Sequence, residues 1–246
     1  MEPWQRLDET QAPDGSRIEL LRRGSSYLIR ADGYDLMSSD DADTASALGE
    51  LGCAHIPPQR PARVLVGGLG MGFTARAALS AVGQEACVEV VELVEAVAGW
   101  NEVTLAGLAR HPLRDPRCEL RIGDVFDSIR GARACYDAIL LDVDNGPDAL
   151  AHASNDRLYD RDGLRTALDA LAPGGALGIW SFDDDPGFTR RLQRAGFEVK
   201  RHRVTGSRKG RGRYHRVWVA RKARRSSGAG ARTGRGDFRS GRPKRR

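Results

Sequence analysis

The chain has 246 residues, 40% of them hydrophobic, and its net charge of +6 divides into 19 basic residues and one acid, Asp237, over 200–246, against 20 basic and 32 acidic residues before them. This length suits one full-sized α/β domain with appendages and does not require a second core. No apolar run approaches the roughly 20 residues of a membrane span, and MEPWQRLDET lacks the basic-then-apolar order of a signal peptide, so the expectation is a soluble, cytoplasmic protein with no membrane partner.

Residues 1–60 carry the turn signals PDG, Arg-Gly and ADG between short strand-like pieces such as 26–30, which predicts a small β-rich extension. The segment SSDDADTASALGELGCAH reads as a helix whose acidic start suits its positive N-terminal end, closed off by Pro57, Pro58 and Pro61. From residue 63 a strand–helix alternation begins, the pattern of a parallel sheet with helical crossovers. Strands are predicted at 63–66, 87–92, 118–122, 136–142 and 176–181, with helices near 71–82, 94–101, 160–172 and 186–195. Pro173-Gly174-Gly175 is expected to end the helix over 160–172 and Gly196 the last one. Two late strands, 197–204 and 214–221, joined by the basic TGSRKGRGR, complete a seven-stranded sheet as a hairpin. The expected organisation is a β-rich extension and helix over 1–60, a nucleoside-binding domain over 61–221 and a disordered Arg/Gly-rich tail over 222–246.

Four cysteines, Cys53, Cys87, Cys118 and Cys135, show no CxxC spacing, and the five histidines form no HxxxH or HxH set. Buried thiols and no metal site are expected.

The motif VLVGGLGMGFTARAAL, residues 64–79, places Gly67, Gly68, Gly70 and Gly72 between a strand and a helix, where backbone can approach a ligand at the helix N-terminus. A dinucleotide fingerprint would need glycine where Phe73 stands. The spacing instead favours the GxGxG loop of S-adenosylmethionine-type folds, with a purely structural tight turn as the plainer reading. Glu92 ends the second strand, where a carboxylate can accept both hydroxyl protons of a ribose; its alternative is a solvated strand-end acid. Asp124 follows the third strand, near where an adenine amino group needs an acceptor; its alternative is a helix cap. In LLDVDNGP, residues 140–147, a buried strand ends on Asp142 and Asp144 at the edge of the sheet where ligands bind in open α/β folds. A solvent-facing Asx turn with Asn145-Gly146 would account for the same residues.

The run VLVGGLGMG, VVELVEAVAGWN, ELRIGDVFDSI, YDAILLDVDNGPDAL, LYDRDGLRTALDALAPGG and AGFEVKRHRV resembles the spermidine synthase family, the aminopropyltransferases built on the class I methyltransferase fold. The resemblance spans roughly residues 15–220. It implies a Rossmann-like α/β fold, with a mostly parallel sheet and an antiparallel late strand. By position it implies that Asp142 is the catalytic aspartate that orients the attacking amine and takes its proton, and that Asp144 is a second amine partner, on a linker two residues shorter than the family's. The donor would be decarboxylated S-adenosylmethionine, with no metal. The family's glycine loop carries an aspartate for the donor's amine, and this chain has Gly70 there, which makes ordinary S-adenosylmethionine admissible. The family's Tyr-His-Glu element for the polyamine is replaced by acidic, small residues, among which Asp40, Asp41, Asp43 and Glu50 can attract a polycation. Tyr159 and Trp180 are candidate crevice walls or core residues. Family members assemble through the leading domain, which leaves a homodimer open.

The end of the chain, RKARRSSGAGARTGRGDFRSGRPKRR, has 11 basic residues and one acid. Its composition supports no packed core; it suits phosphate contacts with RNA, with Phe238 available to stack, and a solvated, non-specific extension is the plainer reading. Three functions remain at this point. They are aminopropyl transfer to a polyamine amine, methyl transfer to a small amine or nucleic acid, and a non-catalytic nucleoside- or RNA-binding module.

Overall fold

A computed structural model describes residues 2–143, 156–182, 185–205 and 214–224. Asp144, the basic connection and nearly all of the tail, on which the RNA expectation rests, lie outside the described residues.

The N-terminal turn signals each join two strands. β1 (Gln5–Gln11), β2 (Arg17–Arg23), β3 (Ser26–Ala31) and β4 (Tyr34–Ser38) form an antiparallel meander in that order. Its inner face carries Ile18, Leu20, Ile29 and Ala31, which join the same core cluster as Val64, Val66 and Val88 of the main sheet. A single 3-10 turn, Ser39–Asp41, leads into α1 (Ala42–Cys53).

The main sheet then follows as β5 (Arg63–Gly67), α2 (Phe73–Ala81), β6 (Cys87–Glu92), α3 (Glu95–Glu102), β7 (Cys118–Ile122), α4 (Val125–Gly131) and β8 (Tyr136–Leu141). After the undescribed stretch come α5 (Asp156–Tyr159), α6 (Arg161–Ala170), β9 (Leu171–Ser181), α7 (Pro186–Ala195), β10 (Phe197–Thr205) and β11 (Tyr214–Lys222). The strand order is β10-β11-β9-β8-β5-β6-β7, and β11 alone runs against its neighbours. The strands read as continuous apolar runs because both faces are covered: Val64 and Val66 enter one core cluster and Leu65 the other.

From β5 the chain winds outward to β6 and β7, then returns to the opposite side of β5 as β8. Connections leaving the carboxyl ends of β5 and β8 therefore diverge, and the crevice between them is the topological switch point. Helix α1 lies close over α2 beside this crevice. A Cβ at Gly49 would stand 2.6 Å from that of Ala77, so glycine sets how near the helices come.

Two expectations need correction. Pro173-Gly174-Gly175 does not separate helix from strand but lies inside β9, where the register jumps: Leu171 pairs with Tyr136 and Ala176 with Ala138. Four residues of β9 thus face Asp137 alone, a bulge that absorbs the proline and glycines. The helices α4 and α5 were also not expected, being too short for a clear apolar period. No helix among the described residues is long and apolar enough to cross a membrane.

Candidate functional site

The glycine loop after β5 is shaped by what it must pass. Gly68 has φ +85°, and a Cβ there would stand 2.3 Å from the carbonyl oxygen of Asp142. Only glycine lets the loop lie against the end of β8. The Asp142 N–H donates to the Gly67 carbonyl at 2.9 Å and the Gly68 N–H to the Val91 carbonyl at 2.9 Å, tying β5, β6 and β8 together at this edge. Gly67 and Gly72 serve packing, against Val125 and Pro112 respectively. Gly68 and Gly70 face the cavity.

The space beside Gly70 is taken by the N-terminal sheet. A Cβ at Gly70 would meet Met37 Sδ at 2.7 Å, and the Met71 N–H points at the same sulfur at 3.2 Å. From below, Asn101 Nδ2 donates to the Gly70 carbonyl at 2.8 Å. The meander is further tied to α3 by Trp100 Nε1, which donates to Asp8 at 2.7 Å and holds its carboxyl below the usual range. No acid stands on the loop from Gly67 to Gly72.

Glu92, at the end of β6, is buried and lines the cavity. Its Oε2 accepts the Leu69 N–H at 2.8 Å and its Oε1 the Val94 N–H at 2.9 Å, so it pins the glycine loop and the start of α3 together. Burial pushes its carboxyl above the usual range, opposed by these backbone amides. Its carboxylate oxygens are acceptors, the kind of group that a ribose hydroxyl can donate to. Glu92→Ala leaves two amides without an acceptor, each worth about 1–3 kcal/mol when buried. A thermal melt is expected to show a Tm several degrees lower, and an unchanged Tm would mean that the loop is not held from here.

Asp124 caps α4, its Oδ1 accepting the Phe126 N–H at 2.8 Å, and its Oδ2 pairs with Arg157. The helix-cap alternative therefore holds in the structure, although Asp124 also lines the cavity.

Asp142, just past β8, turns its carboxyl toward α2. Thr74 Oγ1 lies 2.6 Å from its Oδ2. Burial pushes this carboxyl up to about 6, with the Thr74 hydrogen bond pulling the other way. A carboxylate with that affinity for protons is ionised at neutral pH and close enough to it to act as a base.

These residues share a cavity of about 510 Å³ between the meander and the crevice. Six carboxylates line it, Asp35, Asp40, Asp41, Glu92, Asp124 and Asp142, against one guanidinium, Arg23, among the described residues. Of the four acids singled out before the domain, Asp40 and Asp41 face it and Asp43 and Glu50 do not. Trp180 is a wall, stacked on His215 at 4.9 Å between ring centroids, with Phe182 set edge-on to His215. Tyr159 is core, packed edge-on against Phe188. The sequence reading missed Trp4, Met37 and His215, whose own neighbourhoods in the chain carry no motif, and Thr74, which lies in the glycine-loop motif but meets Asp142 from far along the chain.

Solved structures of spermidine synthases share this fold. The one from Thermotoga maritima is 18% identical, with a TM-score of 0.70 over 89% of this chain and 73% of that one. One in complex with the transition-state analogue AdoDATO is 19% identical, with a TM-score of 0.72 over 89% and 74%. A probable spermidine synthase from Corynebacterium glutamicum is 19% identical, with a TM-score of 0.59 over 87% and 79%. The fold expected from the sequence resemblance is thus the one these structures have, and at such identities the likeness speaks to fold. No protein-family model and no curated protein matches the chain.

Proposed function

We propose that the protein is an aminopropyltransferase of the spermidine synthase type, moving the aminopropyl group of decarboxylated S-adenosylmethionine to an amine of a polyamine. The observation that carries this reading is the Asp142 carboxylate at the switch point, beside the glycine loop and in a cavity whose lining acids outnumber its bases. Both reactants are cations, a sulfonium with an ammonium and a polyamine, and an acidic cavity favours both. The acceptor is mostly protonated at neutral pH, since a primary amine has a pKa of about 10. In the reaction its ammonium gives a proton to the Asp142 carboxylate, and the nitrogen lone pair so freed attacks the carbon next to the sulfonium. The carbon–sulfur bond breaks with its electrons passing to sulfur, and methylthioadenosine leaves. Positioning accounts for most of the acceleration in such a displacement.

The donor's adenosyl end would lie along Gly68 and Gly70, with Glu92 toward the ribose and Asp124 toward the adenine. Asp144 as a second amine partner rests on its place in the sequence.

A second reading, methyl transfer from ordinary S-adenosylmethionine, is favoured by the glycine loop. It has no acid to repel a carboxylate, and the soft thioether of Met37 covers it. Incubation with each donor and a panel of amines, followed by identification of the nucleoside product, separates the two. Methylthioadenosine is the expected product, and S-adenosylhomocysteine alone would move the assignment to methyl transfer.

A further inference from the structure

We propose that Thr74 is a positioning residue for Asp142, with a hydroxyl that donates to the carboxylate when Asp142 is ionised and turns to the Ala45 carbonyl when Asp142 holds a proton. Thr74 sits in the first turn of α2 and is 1% exposed. Its Oγ1 lies 2.6 Å from Asp142 Oδ2 and 3.0 Å from the Ala45 carbonyl oxygen. One hydroxyl has one proton and can accept through its lone pairs, so it cannot donate to both at once.

The two arrangements are both satisfied without any heavy atom moving. With Asp142 ionised, Thr74 donates to Oδ2, and the Ala45 carbonyl, inside α1, keeps the helical amide four residues on. With Asp142 protonated, its O–H donates to Thr74 Oγ1, and Thr74 donates to Ala45. A half-buried carboxylate on the cavity wall can therefore gain and lose a proton while keeping its place against Thr74. Valine has the same shape but offers neither state a partner, and the ionised state loses more because hydrogen bonds to charged groups are the stronger ones. Glu92 from β6, Asp124 at the start of α4, Asp40 and Asp41 before α1, Arg23 from β2 and His215 from β11 line the same cavity. Among the described residues Thr74 alone is seen to hydrogen-bond the Asp142 side chain.

The catalytic side of this inference rests on the reading of Asp142 as the base, and the test keeps the two apart. In the full-length protein labelled with ¹³C at aspartate carboxyl carbons, the Asp142 resonance is assigned by its loss in Asp142→Asn and titrated in wild type, Thr74→Val and Thr74→Ser. The midpoint is expected to rise by about one unit or more in Thr74→Val and to return close to wild type in Thr74→Ser. The acid limb of the rate profile should move with it. A midpoint that is unchanged or lower in Thr74→Val would overturn the proposal. A raised midpoint together with full activity of Asp142→Asn would uphold Thr74 and remove Asp142 as the base.

Discussion

Asp142→Asn should lower the rate of group transfer at neutral pH by about 10²- to 10⁴-fold, the usual contribution of a general base, while making the folded protein more stable above pH 6. The second effect follows from the environment of the carboxyl. Burial raises it from an ordinary 3.8 to about 6, so the folded state binds the proton more tightly than the unfolded chain does. Stability contributed by the protonated form is present below pH 4, falls as pH rises from 4 to 6 and stays lost above that. Two units correspond to about 3 kcal/mol at most, of which a neutral asparagine should recover about 1–3 kcal/mol at pH 8 and almost none at pH 4. Urea denaturation of both proteins at those two pH values checks this. Equal stabilities at pH 8 would mean that the carboxylate is well solvated in the folded state.

The second large effect concerns the donor. A loop carboxylate about 4 Å from the donor's carboxylate, at an effective dielectric near 20, would disfavour ordinary S-adenosylmethionine by about 4 kcal/mol, nearly three decades in affinity. This loop presents Gly68 and Gly70 instead, covered by the Met37 thioether of β4. Decarboxylated and ordinary S-adenosylmethionine should therefore bind within about tenfold of one another, the remainder of that Coulomb effect coming only from the more distant cavity acids. Isothermal titration with the two compounds and with methylthioadenosine measures the ratio. A preference of three decades for the decarboxylated donor would mean that another carboxylate does the work of the missing one.

The parts of the site carried by one strand and its following loop were legible from the residues. β6 and β7 run over the predicted residues, and β5 and β8 differ from prediction by one residue at an end. A buried parallel strand announces itself by its apolar run, and its end by the first acid or glycine. Glu92, Asp124 and Asp142 all line the cavity for that reason. Legibility failed where the partner comes from elsewhere in the chain. Thr74 meets Asp142 across 68 residues of sequence and Met37 meets Met71 across 34, and no local pattern records either meeting. The acids before the domain were visible as a group, but helical geometry turns Asp43 and Glu50 away while the 3-10 turn leaves Asp40 and Asp41 on the cavity. Pro173-Gly174-Gly175 carries the chemistry of a loop, and its use as a bulge depends on the neighbouring strand.

The most direct test of the central claim is a single-turnover measurement with enzyme in excess over decarboxylated S-adenosylmethionine, a polyamine present, and methylthioadenosine formation followed from pH 5 to 9 in wild type and Asp142→Asn. The account predicts a wild-type rate that falls away below pH 6 and a variant rate that is low and without that limb. Equal rates in the two proteins, or no methylthioadenosine from a donor shown to bind, would contradict it.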